Sequence, residues 1–219
     1  MKIINNDIAV LENDTHISKW VEQHGTLAHN QSLYNELKYY LRPDDYIVEI
    51  GAFIGDNTEF LRRKAKRVDS FEPNPKAFEC LWYNARNWDN VTVHNVAIGA
   101  GPGTMNIVQD DNVGASYGVD GGDIEVISLD SMQLEQLDFM LVDCEGYELE
   151  VLQGARETLI KHGPTIVMEI NESTLARRGL TPKDIFNFFD SIKYFYRNIY
   201  ANEPMQGPQY DILCFKSNL

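Results

Sequence analysis

Apolar runs alternate with stretches of helical periodicity between residue 46 and about residue 170. Short runs rich in Val, Ile and Phe predict five strands: Tyr46–Ile50, Arg67–Phe71, Val91–Asn95, Phe139–Val142 and Thr165–Ile170. Apolar residues at helical spacing predict the intervening helices: Asp56–Lys64, Pro75–Asn87 and Tyr147–Lys161. Strands that alternate with helices in this way are typical of a parallel sheet. The pattern therefore predicts an α/β domain.

The flanking segments predict how this core begins and ends. Leucines at four-residue spacing predict an amphipathic helix over Ser32–Leu41, within an N-terminal helical segment, residues 1–44. Residues 45–219 form the main domain, and the two parts are expected to make one globular unit. Near the C-terminus we predict a helix from Thr181 to about Asp190, then strands at Lys193–Tyr200 and Asp211–Lys216. These two strands would close the sheet as an antiparallel hairpin.

The segment from Gly99 to Ile127 departs from the alternation. Its glycines surround two short β-prone pieces, Thr104–Val108 and Asp123–Ile127, which predict irregular hairpins above the carboxyl edge of the sheet. Such loops often form the wall of a binding site. A surface excursion without ligand contact is the alternative.

Composition limits the classes of partner. The chain has 219 residues, 43% of them hydrophobic, which suits one soluble domain. Its net charge of −14 disfavours nucleic acid and anionic lipid and favours a small neutral or cationic partner. The three cysteines lack the spacing of a disulfide framework or a zinc site.

The chain also lacks an apolar run of the ~20 residues needed to span a bilayer. The N-terminus, Met1–Asp7, lacks the apolar core of a signal peptide. We therefore expect a cytoplasmic protein with no membrane partner.

The strongest candidate site is the turn after the first predicted strand. It contains Gly51 and Gly55, and an acid, Glu72, follows 21 positions after Gly51 at the end of the next strand. A strand, a glycine turn, a helix and an acid that can bind ribose hydroxyls form half of a nucleotide-binding fold. The glycines are spaced Gly-x-x-x-Gly, unlike the Gly-x-Gly-x-x-Gly that approaches a pyrophosphate. This spacing favours a cofactor without phosphates, of which S-adenosylmethionine is the common example.

The turn belongs to the first of several motifs that occur along the chain in a fixed order. They are Glu49–Asn74, Asn95–Gly99 with Gly103-Thr104, Gly114-Ala115-Ser116, Ser128-Leu129-Asp130, Asp138–Glu148, and Val151–Ala155. This ordered set resembles the FkbM family of S-adenosylmethionine-dependent methyltransferases over about residues 45–171. The chain departs from the usual family pattern at Glu49-Ile50, where Asp-Val is typical, at Phe53, where Asn is typical, and at Cys144, where Val is typical.

The resemblance implies a Rossmann-like seven-stranded methyltransferase sheet, mostly parallel, with a closing antiparallel hairpin and helices on both faces. Together with the turn motif, it implies S-adenosylmethionine as the cofactor. The predicted cofactor-binding residues are Glu49, Gly51, Ala52, Phe53, Gly55, Asn57, Thr58, Glu72, Pro73, Asn74, Ala97, Ile98 and Asp143.

The resemblance further implies O-methylation of a hydroxyl on a sugar or another small molecule. The candidate bases for the hydroxyl proton are Asp143, Glu145, Glu169 and His29. Glu145 could instead cap the next helix, and His29 could be an ordinary packing residue. Alternatively, Asp143, Glu169 and Asn171 could hold Mg²⁺ or Ca²⁺, and this cation would then activate the hydroxyl.

Two other functions stay open at this point. A nicotinamide-dependent oxidoreductase would also use Glu72 on a ribose, but the third glycine and a recognisable tyrosine–lysine pair are missing from the sequence. A non-catalytic relative that only binds cofactor or a partner is suggested by Phe53. The identity of the acceptor and the oligomeric state are left open.

Overall fold

The computed structural model describes residues 1–5, 7–108, 116–201 and 203–216. The strands are β1 (Lys2–Ile4), β2 (Ile8–Val10), β3 (Tyr46–Ile50), β4 (Arg67–Phe71), β5 (Val91–His94), β6 (Ala97–Ile98), β7 (Gly103–Val108), β8 (Tyr117–Asp120), β9 (Ile124–Ile127), β10 (Phe139–Val142), β11 (Thr165–Asn171), β12 (Tyr194–Asn198) and β13 (Gln209–Lys216). The α-helices are α1 (Ile17–His24), α2 (Gln31–Leu37), α3 (Asp56–Leu61), α4 (Pro75–Ala85), α5 (Glu148–Gly154), α6 (Arg156–His162), α7 (Glu172–Arg177) and α8 (Pro182–Ser191). Of the helices described, none is long and apolar enough to cross a membrane.

The main sheet has seven strands in the order β12-β13-β11-β10-β3-β4-β5. The five strands from β11 to β5 are parallel, whereas β13 is antiparallel to both of its neighbours, β11 and β12. The predicted fold class and its closing hairpin are therefore confirmed. In this order the carboxyl ends of β4, β3, β10 and β11 lie side by side.

The two faces of the sheet are buried against different helices. Ile50, Met140 and Met168 belong to a core cluster that includes residues of α5, α6 and α8. The alternate positions Ile47 and Leu141 belong to a second cluster with residues of α2 and α3. Strands that are buried on both faces read as continuous apolar runs, which explains why the sequence predicts them well.

The predicted helix Tyr147–Lys161 is two helices, and this prediction was wrong in that respect. The helix is interrupted at Ala155, and Asp130 satisfies the start of α6. Its Oδ1 accepts hydrogen bonds from the backbone N–H of Thr158 at 2.8 Å and from the Thr158 hydroxyl at 2.7 Å, while Oδ2 accepts from Glu157 N–H at 3.1 Å. The cap comes from a residue distant in the sequence, so helical periodicity alone does not reveal the break.

The N-terminal 44 residues contain more than the predicted helix. Strands β1 and β2 form a hairpin, and α1 precedes α2. The buried amide of Asn84 on α4 fixes the hairpin: its Oδ1 accepts from Ala9 N–H at 2.7 Å, and its Nδ2 donates to the carbonyls of Ala9 and Ile54 at 3.0 and 2.8 Å. One side chain thus ties the hairpin to the turn that follows β3.

The described parts of the segment Gly99–Ile127, residues 99–108 and 116–127, contain regular strands, whereas its glycines predict irregular hairpins. Strands β6, β9, β7 and β8, in that order, make a second sheet of four strands. Strand β7 is antiparallel to both β8 and β9. The motif residues Gly114 and Ala115 lie outside the described residues.

The contact between Gly154 and Gly99 gives a test of this packing. A Cβ on Gly154 would lie 1.9 Å from the carbonyl oxygen of Gly99, whereas a Cβ on Gly101 would meet nothing within 4 Å. We expect Gly154→Ala to lower the free energy of unfolding by roughly 1–3 kcal/mol or more, because α5 must move away from β6. Urea denaturation measures the change, with Gly101→Ala as the matched control. Equal stability of the two variants would contradict this packing.

Candidate active site

The carboxyl ends of the central strands open into a cavity of about 540 Å³. Gly51 and Phe53 follow β3, Glu72 to Asn74 follow β4, and Asp143 to Glu145 follow β10. Residues from the four-stranded sheet and from the N-terminal segment complete the wall. The crevice expected from the strand order therefore exists, and it brings together residues that are more than 90 positions apart in sequence.

Gly51 is required by the approach of a neighbouring strand. Its φ is +88°, and a Cβ there would lie 1.7 Å from the carbonyl oxygen of Asp143. The missing side chain at Gly51 therefore makes room for the chain that leaves β10. This contact sets Asp143 beside the glycine turn.

The turn continues through Phe53, which adopts a φ of +47°. This left-handed region is unfavourable for a bulky side chain but is tolerated by Asn, the usual residue of the family at this position. The backbone N–H of Phe53 donates to Glu72 Oε2 at 2.8 Å. The Phe53 ring packs against the cluster of the N-terminal hairpin, so it joins the turn to residues 1–44.

Glu72 is held from two sides and is only 6% exposed. Its Oε1 accepts from the backbone N–H of Asn74 at 2.7 Å, opposite the bond from Phe53 to Oε2. Burial raises the pKa of the Glu72 carboxyl to about 7. Each oxygen keeps a further lone pair, and the residue lines the cavity. Nearby apolar lining comes from Phe71, Val96 and Ile98.

Four of the predicted cofactor residues, Glu49, Ala52, Gly55 and Thr58, do not line the cavity, whereas the other nine do. Glu49 is 1% exposed, and its Oε2 accepts hydrogen bonds from the hydroxyls of Thr58 and Ser70, both at 2.6 Å. These bonds join β3, α3 and β4 beneath the turn. Glu49 and Thr58 therefore support the turn from below.

Three carboxylates converge where β10 and β11 end. Asp143, Glu145 and Glu169 each offer an oxygen that lies within 4.8 Å of the others. Burial, followed by the charges of Glu169 and Glu145, raises the pKa of Asp143 well above its ordinary value. Burial also raises the pKa of Glu169. The cluster is therefore set to gain a proton or to bind a cation.

Asn171, a predicted metal ligand, has a different set of contacts. It lines the cavity, but its Oδ1 caps α7 by accepting from the Ser173 hydroxyl at 2.7 Å and from the N–H groups of Ser173 and Thr174 at 3.1 and 3.4 Å. Glu145 takes its place as the third oxygen donor beside Asp143 and Glu169. Glu145 itself has a φ of +54°, a strained conformation that directs the turn after β10.

His29 reaches the cavity from the N-terminal segment. Its Nδ1 lies 3.9 Å from Oδ2 of Asp56, the first residue of α3, and its ring packs edge-on against Trp20 at 5.3 Å between centroids. Burial, followed by the charge of His16, lowers the pKa of His29. Burial raises the pKa of Asp56 to about 7. The imidazole is therefore neutral at neutral pH and can accept a proton.

Several cavity residues were not anticipated from the sequence. They are His16, Asn30, Met105, Ser116, Gly118, Tyr147, Arg177 and Gln209. Ser116 and Tyr147 lie within motifs of the ordered set and could have been proposed from them. Met105 and Gly118 belong to the segment Gly99–Ile127, for which a binding wall was one of the two predictions. The remaining residues come from loops, a helix and the start of β13, whose placement over the cavity carries no local sequence signal.

Comparisons with known proteins agree with this architecture. Residues 49–196 match the family model described as the methyltransferase FkbM domain. No curated protein matches the chain at a significant level. The structure is similar to a methyltransferase FkbM from Methylobacillus flagellatus KT, with a TM-score of 0.55 and 22% identity, over 78% of this chain and 43% of that one. This chain therefore spans less than half the length of that protein.

Two further solved structures show the same fold. One is a putative methyltransferase from Streptococcus mutans in complex with SAH, with a TM-score of 0.54 and 10% identity, over 85% of this chain and 97% of that one. The other is a precorrin-6y C5,15-methyltransferase from Geobacter metallireducens GS-15, with a TM-score of 0.55 and 16% identity, over 99% and 98%. Since the family match alone covers more than half of the residues, this chain belongs to the FkbM family of S-adenosylmethionine-dependent methyltransferases.

Proposed function

We propose that the protein transfers a methyl group from S-adenosylmethionine to a hydroxyl of a sugar or another small molecule. The observation that carries the proposal is Glu72, whose buried carboxylate lines the cavity and is held by two backbone N–H groups. Its remaining lone pairs can accept the two ribose hydroxyls of the cofactor. The adenine would lie against Ala97 and Ile98, which are 4% and 2% exposed.

The start of α3 favours this cofactor over a dinucleotide. A pyrophosphate needs a helix N-terminus whose partial positive charge is available. Here the first turn of α3 carries Asp56 and Glu59, and Asp56 lines the cavity. A carboxyl group at this position opposes a bound phosphate. The family match and this acidic turn both disfavour the nicotinamide-dependent alternative.

A small acceptor fits the size and charge of the site. The cavity of about 540 Å³ lies within the range of small-molecule sites, ~300–1,000 Å³. The net charge of −14 opposes the phosphates of a nucleic acid. Met105 and Ile107 of the four-stranded sheet, with Ser116 just before β8, form one wall, where the acceptor would rest.

Methyl transfer from a sulfonium requires alignment of the acceptor oxygen, the methyl carbon and the sulfur, and removal of one proton. We assign the proton to His29, because its lowered pKa keeps the imidazole neutral and its Nδ1 faces Asp56, which leaves Nε2 for the acceptor. Asp143 and Glu169 are weaker candidates for the base, since their raised pKa values favour the protonated form when no cation is bound.

The role of Glu72 is tested by binding of S-adenosylhomocysteine, measured by titration calorimetry. Glu72→Ala should weaken binding by about 1–3 kcal/mol, because it removes the acceptor of the ribose hydroxyls. Glu79→Ala, an exposed position on the adjoining helix, serves as the control. An unchanged dissociation constant in Glu72→Ala would contradict the assigned pocket, as would tight binding of NAD in place of S-adenosylhomocysteine.

The same carboxyl predicts a pH dependence. In the protein without cofactor, Glu72 has a pKa of about 7, and its ionised form is the better acceptor for ribose hydroxyls. Binding therefore releases a proton, so affinity for S-adenosylhomocysteine should be full above pH ~7 and should fall as the pH drops below it. Calorimetry at several pH values measures this slope. The slope should be reduced in Glu72→Gln, and an identical slope in both proteins would refute the assignment to Glu72.

The role of His29 is tested with His29→Asn. Loss of a general base should lower the rate of methyl transfer by roughly 100-fold or more while leaving S-adenosylhomocysteine binding unchanged. His24→Asn, at an exposed histidine of the same N-terminal segment, should keep the wild-type rate. A parallel loss of cofactor binding in His29→Asn would instead indicate a packing role.

The reaction itself is tested by incubating the purified protein with methyl-labelled S-adenosylmethionine and a panel of glycans, hydroxylated metabolites, amines and RNA. We expect label in one hydroxylated compound, located on oxygen by fragmentation in the mass spectrometer. Label on nitrogen or in RNA would overturn the proposed acceptor. Binding of S-adenosylhomocysteine in a protein that labels nothing would favour a non-catalytic relative.

A further inference from the structure

A second cavity of about 270 Å³ adjoins the cofactor cavity. The two cavities share Asn30, Asn57, Asp143, Glu169 and Gln209, and the second one also contains Asp211. We call this second cavity the acidic chamber. Its lining includes residues of β10, β11 and β13.

Carboxylate oxygens lie close together where the acidic chamber joins the larger cavity. Asp143, Glu145 and Glu169 place one oxygen each within 4.8 Å of one another. Oxygens on opposite sides of a bound Mg²⁺ or Ca²⁺ lie about 4–5 Å apart, since the metal–oxygen distances are ~2.0–2.6 Å. The three carboxylates can therefore surround one such ion with side-chain adjustments alone.

Independent evidence comes from buried oxygens without a partner. Oδ1 of Asn57 is inaccessible to solvent, has no hydrogen-bond donor among the described residues, and belongs to a residue that lines both cavities. Glu148 is 2% exposed; its Oε1 accepts from Gly146 N–H at 3.0 Å, while its Oε2 lacks a donor within the described part of the chain. Glu148 lines neither cavity, but its charge raises the pKa of Asp143, and the charge of Glu169 raises the pKa of Glu148. Buried acceptors of this kind require a donor or a cation.

Two side chains beside Asp143 and Glu169 bring no positive charge to them. Gln209 donates its Nε2 hydrogen to Glu169 Oε1, which orients that carboxylate but adds no charge. Asp211 adds a further negative charge that acts on both Asp143 and Glu169. Hard divalent cations prefer such an all-oxygen set, and carboxylate, amide and water oxygens complete their coordination.

We propose that a hard divalent cation of the Mg²⁺ or Ca²⁺ type binds between Asp143, Glu145 and Glu169, with Asn57 Oδ1 as a nearby amide oxygen. Its catalytic role rests on the proposed function. When bound there, such a cation would polarise the acceptor hydroxyl and lower its pKa. The O–H bond then breaks with its proton passing to His29, the oxygen forms a bond to the methyl carbon, and the S–CH₃ bond breaks to leave S-adenosylhomocysteine, a methyl ether and a protonated imidazole.

Binding of the cation is measured without cofactor or acceptor. The full chain is stripped of metal with a chelator and titrated with Mn²⁺, whose free concentration is followed by electron paramagnetic resonance, and Mg²⁺ or Ca²⁺ is then added as competitor. We expect one site that the competitor empties. Glu169→Gln and Glu145→Gln should each weaken Mn²⁺ binding by about tenfold or more, because each removes one charged ligand.

Glu135→Gln is the matched control, since Glu135 is exposed and lies outside both cavities. It should bind Mn²⁺ as the wild type does. Two outcomes would overturn the proposal: no Mn²⁺ binding by the wild type, or equal loss in Glu135→Gln. Displacement of bound Mn²⁺ by S-adenosylhomocysteine would instead assign the acids to the ammonium group of the cofactor.

Thermal melting separates ligand loss from misfolding. In chelator, Glu169→Gln should melt at or above the wild-type temperature, because a neutral amide removes repulsion from Asp143 while its oxygen can still accept from Gln209. Mg²⁺ or Ca²⁺ should raise the melting temperature of the wild type but not that of the variant. An equal rise in the melting temperature of the wild type and of Glu169→Gln would overturn the proposed cation site. Failure of S-adenosylhomocysteine to bind, with Mn²⁺ binding intact, would contradict the proposed function alone.

Discussion

The pairing of β3 with β10 is the contact on which the site depends. Val142 pairs with Ile50, and the carbonyl of the next residue, Asp143, occupies the space that a side chain at position 51 would need. Only glycine satisfies this contact. As a result, the glycine turn and Asp143, which both line the cavity, are held against each other by backbone. The cavity is built on rigid strand ends, which suits a reaction whose rate depends on alignment.

The second constraint on the structure is a set of buried carboxyl groups whose pKa values are raised. Burial raises the pKa of Glu49, Asp56, Glu72 and Asp211 to about 7 in each case. The folded protein therefore holds these protons more tightly than the unfolded chain does. Each group contributes most to stability at low pH, and that contribution is lost as the pH rises from ~4 to about 7. A ligand that donates hydrogen bonds or brings positive charge to the carboxyl groups lining the cavities would restore the lost stability. The ligand-free site is therefore less stable at neutral pH than the same site with such a ligand bound.

The walls of the cavity come from the N-terminal segment and the four-stranded sheet, which lie around the strand ends of the seven-stranded sheet. The family match begins at residue 49, yet His16, His29 and Asn30 line the cavity from the N-terminal segment. Asn84 and Phe53 tie that segment to the helix and the turn of the core. The four-stranded sheet covers another side. The cavity is therefore walled by a segment that precedes the family match and by a small sheet that lies within it, while the ends of β3, β4 and β10 supply Gly51, Glu72 and Asp143.

The sequence by itself determined the five parallel strands, the closing hairpin, the glycine turn and the family, because buried strands read as apolar runs and turns need particular residue types. It could not show that Gly51 accommodates Asp143, that Asp130 breaks a helix, or that Glu49 and Thr58 lie beneath the turn, since these depend on contacts between distant segments. Asn171 was the third oxygen ligand predicted from sequence position, and Glu145 was predicted as a base or a helix cap. Only the tertiary structure shows that the Asn171 amide caps α7 while Glu145 lies beside Asp143 and Glu169, because both placements depend on how the chain turns after β10 and β11.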